Sequence, residues 1–360
     1  MDEVARPSAA PAPQSRSTPD RVAVVVNGNA KQVTAELIET LDQIVRSGDL
    51  FLSRSLEEGH EIARTIVDRG YPTVLTGGGD GTFTQMVTWV TEHATRTGKP
   101  RPRFGLLKLG TGNALAWVVG AQRVRGTGVV ADLARLRTES GSRKMRLIEV
   151  EGMLTPFAGF GIDANALDDY NKTKEAMRRV PLLRRFAGGG AAYAISIATR
   201  SLPGYLFKGH PRVRIVNDGE PAIRLGTDGR PIGAPILRGE TIYDGPSRIV
   251  GMSTIPYWGF GARIFPFADE REDRFSLRIA DLTSFDVALH LREIWNGTYS
   301  SNTVHDFLTD RITIRFEEPV AFQIGGDPYG PRMTVHAALA THPIELVDYY
   351  SPPRGNAPAA

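Results

Sequence analysis

The chain has 360 residues, 41% of them apolar and 23% charged, so it is long enough for about two domains and should be mostly folded. It contains no cysteine, which excludes disulfides, thiolate metal sites and cysteine nucleophiles. Lys and Arg number 43 against 40 for Asp and Glu, and the net charge of +3 is too small to indicate a nucleic-acid partner.

Both ends of the chain have the composition of disordered segments. Residues 1–20 combine Pro, Ala and Ser without the apolar run of a signal peptide, and residues 351–360 form a second Pro-rich tail. Nowhere does the sequence reach the ~18 consecutive apolar residues of a membrane-spanning helix. We therefore expect a disordered leader, a short tail and a cytoplasmic protein with neither a signal peptide nor a transmembrane helix.

Residues 21–141 alternate between β-rich and helical segments, which is typical of a parallel sheet flanked by helices. An apolar strand at Val22–Val26 leads through helical periods to a second strand at Thr73–Thr76. After another helical period, a third strand at Phe104–Leu107 precedes a short helix at Ala114–Val119. We predict a Rossmann-like, nucleotide-binding α/β domain over residues 21–141.

Residues 142–350 consist of short alternating runs separated by turn residues such as Asn217-Asp218-Gly219. A helical stretch at about 168–199 interrupts this pattern. We predict an antiparallel β-sandwich domain with a helical insert. The expected fold class is thus α/β plus all-β, in two domains.

Two glycine-rich segments, Gly77–Thr82 and Leu109–Asn113, each follow a strand and precede a helix. Backbone N–H groups and the positive end of a helix converge on an anion at such a turn, and glycine lets a phosphate approach the main chain. A plain tight turn is the alternative for one such segment, but two in one sheet favour phosphate binding. Because like charges repel, Asp80 beside a phosphate indicates a bound Mg²⁺ or a specific polar contact.

Neither segment has the Walker sequence or the full G-x-G-x-x-G spacing. The order of four motifs instead resembles the diacylglycerol kinase catalytic-domain family, which includes bacterial diacylglycerol kinases and sphingosine and ceramide kinases. The motifs are Val25–Ala30, Gly78–Thr82, Leu109–Ala116 and Gly159–Asp163. Gly-Gly-Asp-Gly-Thr alone is shared with NAD kinases, but the Asn-Glu pair expected of an NAD kinase is not apparent.

The resemblance covers roughly residues 21–350 and implies a fold of the NAD kinase and diacylglycerol kinase type. It also implies ATP- and Mg²⁺-dependent phosphorylation of a lipid hydroxyl, on a lipid of the diacylglycerol or sphingoid type. The nucleotide would lie on the α/β domain and the lipid in a cleft against the β-sandwich. Residues at the family's nucleotide-binding positions are Asn27, Gly28, Asn29, Gly78, Gly79, Asp80, Gly81, Thr82, Gly110, Thr111, Gly112 and Asn113.

The family's catalytic base raises the main difficulty. Where the family has Asp-Gly-Glu with the Asp as base, this chain has Gly325 at the Asp position and Asp327 at the Glu position. In an extended strand these positions lie ~6–7 Å apart on one face, farther than a hydrogen bond spans. Asp327 replaces the base only if Gly325-Gly326 forms a turn or bulge, and an ordinary Asp-Pro turn is the equally weighted alternative. We predict Asp327 and Asp80 as the catalytic carboxylates.

A second departure concerns metal binding. The stretch from Asp269 to Leu277 resembles a family segment associated with a structural Mg²⁺, and Glu272 and Asp273 match its acidic pair. Arg274 replaces the glycine of that segment. The predicted metal ligands are therefore Asp80 and Asp273.

The sequence favours an ATP-dependent lipid kinase that visits the membrane surface transiently, with a homodimer left open. A basic cluster between Lys172 and Arg185 suits anionic lipid headgroups, although a solvated helix face explains it better. Gly325 leaves a catalytically impaired nucleotide or lipid sensor as an alternative. The shared glycine motif leaves a kinase of a soluble polyol or of NAD as another.

Overall fold

The computed structural model describes residues 21–30, 33–45, 49–110, 113–121, 128, 132–133, 141–161 and 210–350. Two sheets dominate this part of the chain, a mostly parallel one and a larger antiparallel one. The predicted helical insert at 168–199, the basic cluster, and the leader and tail lie outside the described residues.

The first sheet is built from β1 (Val22–Asn27), β2 (Leu50–Ser53), β3 (Thr73–Gly78), β4 (Arg103–Lys108), β5 (Gly141–Met145) and β17 (Ile344–Asp348). Its six strands lie in the order β2-β1-β3-β4-β17-β5, parallel throughout except where β17 meets β5. Residues 23–26 of β1 are fully buried, because helices cover both faces of the sheet. The sequence did not predict β2, whose signal is only the short apolar run Leu50-Phe51-Leu52.

Four helices pack around this sheet, namely α1 (Ala35–Ile44), α2 (Leu56–Asp68), α3 (Asp80–Thr97) and α4 (Ala114–Val119). The side chains of Thr34 and Ser55 accept hydrogen bonds from backbone N–H groups at the starts of α1 and α2. In contrast, α3 and α4 begin at Gly79 and Asn113 without a side-chain cap of this kind. Their first N–H groups therefore depend on partners from elsewhere.

The second sheet is built from β6 (Ile148–Val150), β7 (Met153–Thr155), β8 (Phe157–Gly161), β9 (Arg212–Asn217), β10 (Ile223–Leu225), β11 (Thr241–Pro246), β12 (Ile249–Ser253), β13 (Phe275–Ala280), β14 (Val304–Thr309), β15 (Arg311–Ile324) and β16 (Asp327–Leu339). Its main path runs β10-β14-β13-β12-β8-β15-β16-β6-β7, and β9 joins β15 to β11. Every pairing is antiparallel. Two short helices, α5 (Ser284–Leu289) and α6 (Leu291–Asn296), connect β13 to β14.

Aromatic rings contact one another within the largely aliphatic core of the second sheet. The ring of Phe160 lies 4.8 Å from that of Phe316 and 4.5 Å from that of Phe322, between centroids. Such tilted contacts add to the burial of apolar area. The predicted fold class, α/β plus an antiparallel β domain, is therefore confirmed.

The division at residue 141 stays a prediction, but two strands outside residues 21–140 belong to the first sheet, namely β5, which begins at Gly141, and β17. The chain thus enters the second sheet after β5 and returns to the first near its end. Helix α3 also joins the sheets, since the hydroxyl of Thr88 accepts a hydrogen bond from the N–H of Leu154 in β7 at 2.9 Å. A cut at 141 would leave the first sheet without two strands.

None of the described helices is long and apolar enough to cross a membrane.

Candidate active site

The candidate site lies where the parallel strands β1, β3 and β4 end. The carboxyl ends of parallel strands meet at one edge of a sheet, and ligands bind in the crevice outside that edge. Each of the three strands runs into one of the predicted motifs there, β1 at Asn27, β3 at Gly78 and β4 at Leu109.

The first glycine-rich segment carries the chain from β3 into the N-terminus of α3. Gly79 is the N-cap residue and supplies no side-chain hydrogen bond, so the first turn of this 18-residue helix presents its N–H groups without a cap. The space beside Gly79 is open, because no described atom lies within 4 Å of where a Cβ would be. Such a helix end suits an anion.

The other glycines are required by close packing around this turn. A Cβ on Gly78 would overlap the side chain of Thr82, and a Cβ on Gly110 would overlap the Cα of Gly79. The second glycine-rich segment therefore lies directly on the first. The structure thus brings together the two predicted loops, although Thr111 and Gly112 lie outside the described residues.

Asn27 holds the motif at the end of β1 against the first glycine-rich segment. Its Nδ2 donates to the hydroxyl of Thr82 at 3.2 Å, and its Oδ1 accepts from the N–H of Asn29 at 2.9 Å. The amide of Asn29 donates to the carbonyl of Arg54 at 2.8 Å, and Gly28 donates its N–H to Ser53. Asn27 therefore orients Thr82 toward the loop, whereas the side chain of Asn29 anchors the turn to the end of β2.

Asp80 is held by α4. Its two oxygens accept hydrogen bonds from the N–H groups of Ala114 at 2.8 Å and Leu115 at 3.2 Å, so it supplies the cap that α4 lacks locally. Asp80 is only 7% exposed. Of the two contacts that the sequence left open for Asp80, this geometry provides the polar contact within the loops, and its role as a metal ligand stays a prediction. The carboxylate in the loop locks the two glycine-rich segments together.

Burial raises the pKa of Asp80 to about 6. The two N–H donors of α4 act in the opposite direction, while the nearby charge of Asp327 raises the pKa further and Lys108 lowers it. The negative charge of Asp327 therefore acts on Asp80 across the N-terminus of α3.

Asn113 begins α4 in the left-handed conformation, with φ of 46°. Its Nδ2 donates to the carbonyl of Gly110 at 2.8 Å, which ties the loop to the helix. Its Oδ1 is buried and meets no hydrogen-bond partner among the residues that the structure describes. An unpaired buried acceptor beside two glycine loops is a natural contact for a ligand's donor group.

Asp327 reaches the first loop through a tight hairpin turn. Ile324 pairs with Asp327 across β15 and β16, which leaves Gly325 and Gly326 as a two-residue connection with φ of 58° and 87°. Positive φ at both positions is the type I′ geometry that glycine favours. Gln323 supports the turn, since its Oε1 accepts from the N–H of Gly326 at 2.7 Å. The turn that the sequence required for Asp327 is therefore present.

The carboxylate of Asp327 lies against Gly81, in the first turn of α3. A Cβ on Gly81 would overlap both oxygens and the carboxyl carbon of Asp327. Although Asp327 is exposed as a residue, the protein around its carboxylate raises the pKa by desolvation. No described residue donates a hydrogen bond to this carboxylate. An acid with free oxygens thus faces the helix end where an anion would bind.

We expect Gly325→Asp to destabilise the protein by about 1–3 kcal/mol. A Cβ at position 325 would overlap the hydroxyl of Thr84. Urea unfolding measures the loss. The matched control is Gly326→Asn, because nothing described lies within 4 Å of a Cβ there and Asn tolerates positive φ. A Gly325→Asp protein that is as stable as wild type would show that the contact with Thr84 does not restrict this position.

Asp273 is neutralised by arginines. It accepts two hydrogen bonds from Arg271 at 2.9 and 2.8 Å and one from Arg274 at 3.2 Å. These guanidinium groups hold the pKa of Asp273 below its usual range, with the Arg271 hydrogen bonds as the main cause. The prediction of Asp273 as a metal ligand is therefore not supported, since cations of the chain already occupy its oxygens. Across the described ranges, no group of three or more acidic or histidine side chains is arranged to hold a metal ion.

Two residues of the site were missed from the sequence. Gln323 and Thr84 are buried polar side chains beside the Gly325-Gly326 turn. Gln323 accepts a hydrogen bond from the turn, and Thr84 lies against Gly325. A glutamine directly before Ile-Gly-Gly in an apolar strand is a signal for Gln323. Thr84 has no local signal, because its contact with Gly325 joins distant parts of the chain.

Comparison with known proteins agrees with this geometry. Residues 21–150 match the model of the diacylglycerol kinase catalytic domain. Over 100 residues the chain is 31% identical to a protein of Chromohalobacter salexigens named "Probable lipid kinase YegS-like", a match that covers 27% of this chain and 31% of that protein.

A crystal structure of a diacylglycerol kinase from Bacillus anthracis has a similar fold. Its TM-score is 0.60 at 14% identity, with 91% of this chain and 96% of the other covered. Identity at this level speaks for the fold alone. The family model adds that residues 21–150 of this chain are similar to the diacylglycerol kinase catalytic domain.

Proposed function

We propose that the protein is an ATP-dependent lipid kinase that transfers the γ-phosphoryl group of ATP to a lipid hydroxyl, with Asp327 as the base. The position of Asp327 supports this activity most strongly. Its carboxylate accepts no hydrogen bond from a described residue and lies against Gly81, in the first turn of α3.

In the proposed reaction the lipid hydroxyl oxygen attacks the γ-phosphorus, and the bond from that phosphorus to the oxygen bridging to the β-phosphate breaks. Asp327 takes the hydroxyl proton, and ADP leaves with the bridging oxygen. The raised pKa of Asp327 suits this role, because a base works best when its pKa lies nearer the operating pH.

The glycine loops would hold the triphosphate. The N–H groups at the start of α3 and the hydroxyl of Thr82, which Asn27 orients, converge on the space beside Gly79. Positioning and neutralisation of charge supply most of the catalysis of phosphoryl transfer, so this cradle matters as much as the base. Asn113 Oδ1 would accept a hydrogen bond from the nucleotide.

Asp80 would act as a positioning residue. By capping α4 it sets the distance between the two loops on either side of the triphosphate. Its burial and its contacts with main-chain donors are those of a structural carboxylate rather than of a group that meets the substrate.

Among the described residues neither Asp80 nor Asp273 belongs to a group of three or more acidic or histidine side chains that could hold a metal, so we propose no resident Mg²⁺ site. Mg²⁺ would come with ATP, and it would neutralise charge on the phosphates.

The acceptor would be a lipid of the diacylglycerol or sphingoid class, taken from a membrane surface by a cytoplasmic protein. The resemblance of the four motifs supports this class. A homodimer remains part of the proposal.

A second candidate function is a sensor that binds nucleotide or lipid without transfer. Gly325 favours it, because the family's base position carries no carboxylate. The proposed kinase differs from the sensor only in whether Asp327 accepts the proton.

An assay with γ-³²P-ATP and Mg²⁺ tests the function against four acceptors, namely diacylglycerol, sphingosine, ceramide and NAD. We expect label in one of the lipids. Nucleotide binding without label in any acceptor would establish the sensor instead. Label in NAD alone would assign the protein to soluble-substrate kinases.

A further inference from the structure

A pocket of about 670 Å³ lies apart from the glycine loops, between the C-terminal part of α4, strand β5 and the segment from Thr254 to Arg274. None of the predicted nucleotide-binding residues lines it. Pockets of roughly 300–1,000 Å³ are the usual size of small-molecule sites. The pocket is thus large enough for a ligand of its own.

The walls of this pocket are strongly basic. Six cationic side chains line it against two acidic ones, Asp269 and Glu272. The cationic residues are Arg143, Lys144, Arg146, Arg263, Arg271 and Arg274. Asp273 does not line the pocket, but it neutralises part of this charge through its ion pairs with Arg271 and Arg274. The remaining excess of positive charge favours an anion.

Several of these charges are available to a ligand. Lys144 and Arg146 are exposed and form no ion pair with any described residue. Arg143 comes only within 3.9 Å of Asp348. The Nε of Arg274 is buried and meets no hydrogen-bond donor or acceptor within the described part of the chain. A buried, unsatisfied guanidinium N–H in a pocket wall is costly unless an acceptor from outside binds it.

The opposite side of the pocket is apolar and aromatic. Trp117 and Tyr257 lie with ring centroids 6.3 Å apart, and Ile255 and Pro256 continue the surface. Tyr350, which is 69% exposed, stands at its edge. Inorganic anions gain nothing from such a surface, whereas an acyl chain or another apolar group buries area there.

We infer that this pocket binds a phosphate monoester, and that its aromatic side takes the apolar part of an amphiphilic ester such as a phosphorylated lipid. Arg274, Lys144 and Arg146 contact the phosphate, since guanidinium and ammonium groups bind phosphate oxygens in charged hydrogen bonds. The pocket lies near the proposed active site at Trp117, which is one turn along α4 from the residues that Asp80 caps.

Calorimetric titration tests this site with three probes, which are dihexanoyl phosphatidate, dihexanoyl phosphatidylcholine and inorganic phosphate. The measurement requires neither nucleotide nor turnover, so its result is independent of the proposed kinase activity. We expect dihexanoyl phosphatidate to bind saturably and the zwitterionic lipid to bind at least tenfold more weakly. Inorganic phosphate that competes with phosphatidate at equal affinity would overturn the assignment of the aromatic side to an apolar group.

The double variant Lys144→Gln with Arg146→Gln should weaken binding of phosphatidate by about tenfold or more, because each cation near an anionic headgroup contributes roughly 1 kcal/mol. The matched control, Arg64→Gln with Arg315→Gln, removes the same charge from exposed positions outside the pocket and should leave affinity unchanged. Equal affinity of the Lys144 and Arg146 variant and wild type would overturn the assignment. So would equal affinity for the two lipids, or no binding of phosphatidate.

Discussion

Asp327→Asn is expected to lower kcat for lipid phosphorylation by about 10²–10⁴-fold, the usual contribution of a general base. Asn keeps the size of the side chain and its place against Gly81, but it cannot accept the proton of the attacking hydroxyl. KM for ATP should not rise, because the change removes a negative charge from beside the triphosphate. Steady-state kinetics with the lipid acceptor found in the panel measures both parameters.

Glu318→Gln is the matched control, since Glu318 is an exposed carboxylate on the same hairpin and far along β15 from the turn. It should leave kcat within about twofold of wild type. An Asp327→Asn enzyme with unchanged kcat would show that proton transfer does not pass through Asp327, and the base assignment would fail.

Gly81→Ala should lower kcat at least tenfold, although alanine normally improves a helix by about 1 kcal/mol over glycine. The added Cβ would overlap the carboxylate of Asp327 and push it from the helix end. A displacement of about 1 Å at a reacting group costs as much as 10²-fold. The effect therefore comes from one contact rather than from the backbone.

A double-mutant cycle isolates that contact. Because Gly81→Ala acts through Asp327, it should lower kcat little further in the Asp327→Asn background. Fully additive losses would mean that the new methyl group disturbs phosphate binding at the loop instead. Circular dichroism of each variant checks that α3 is retained.

The parallel sheet could be predicted because its strands are continuous apolar runs that end in glycine motifs. Strand β17 could not be assigned from the sequence, since a five-residue segment after a long β region does not reveal which sheet it joins. Its return to β4 and β5 is decided by tertiary packing. The same limit applies to Thr84 beside Gly325.

The carboxylates show where sequence reasoning reached its limit. For Asp80 in a phosphate-type loop the sequence left a metal ion or a polar contact open, and it could not show that the oxygens cap a helix that begins 34 residues later. Asp273 looked like a metal ligand by resemblance, yet the arginines around it neutralise it. For Asp327 the sequence did state the condition, a turn at Gly325-Gly326, and the backbone meets it with two positive φ angles.

The most direct measurement is a crystal structure of the protein with Mg²⁺ and a non-hydrolysable ATP analogue. It should place the β- and γ-phosphates at the start of α3, beside Gly79 and Thr82. The carboxylate of Asp327 should face the γ-phosphorus, with room for one hydroxyl oxygen between them. Empty glycine loops, or a γ-phosphate that Asp327 cannot approach, would contradict the proposed transfer.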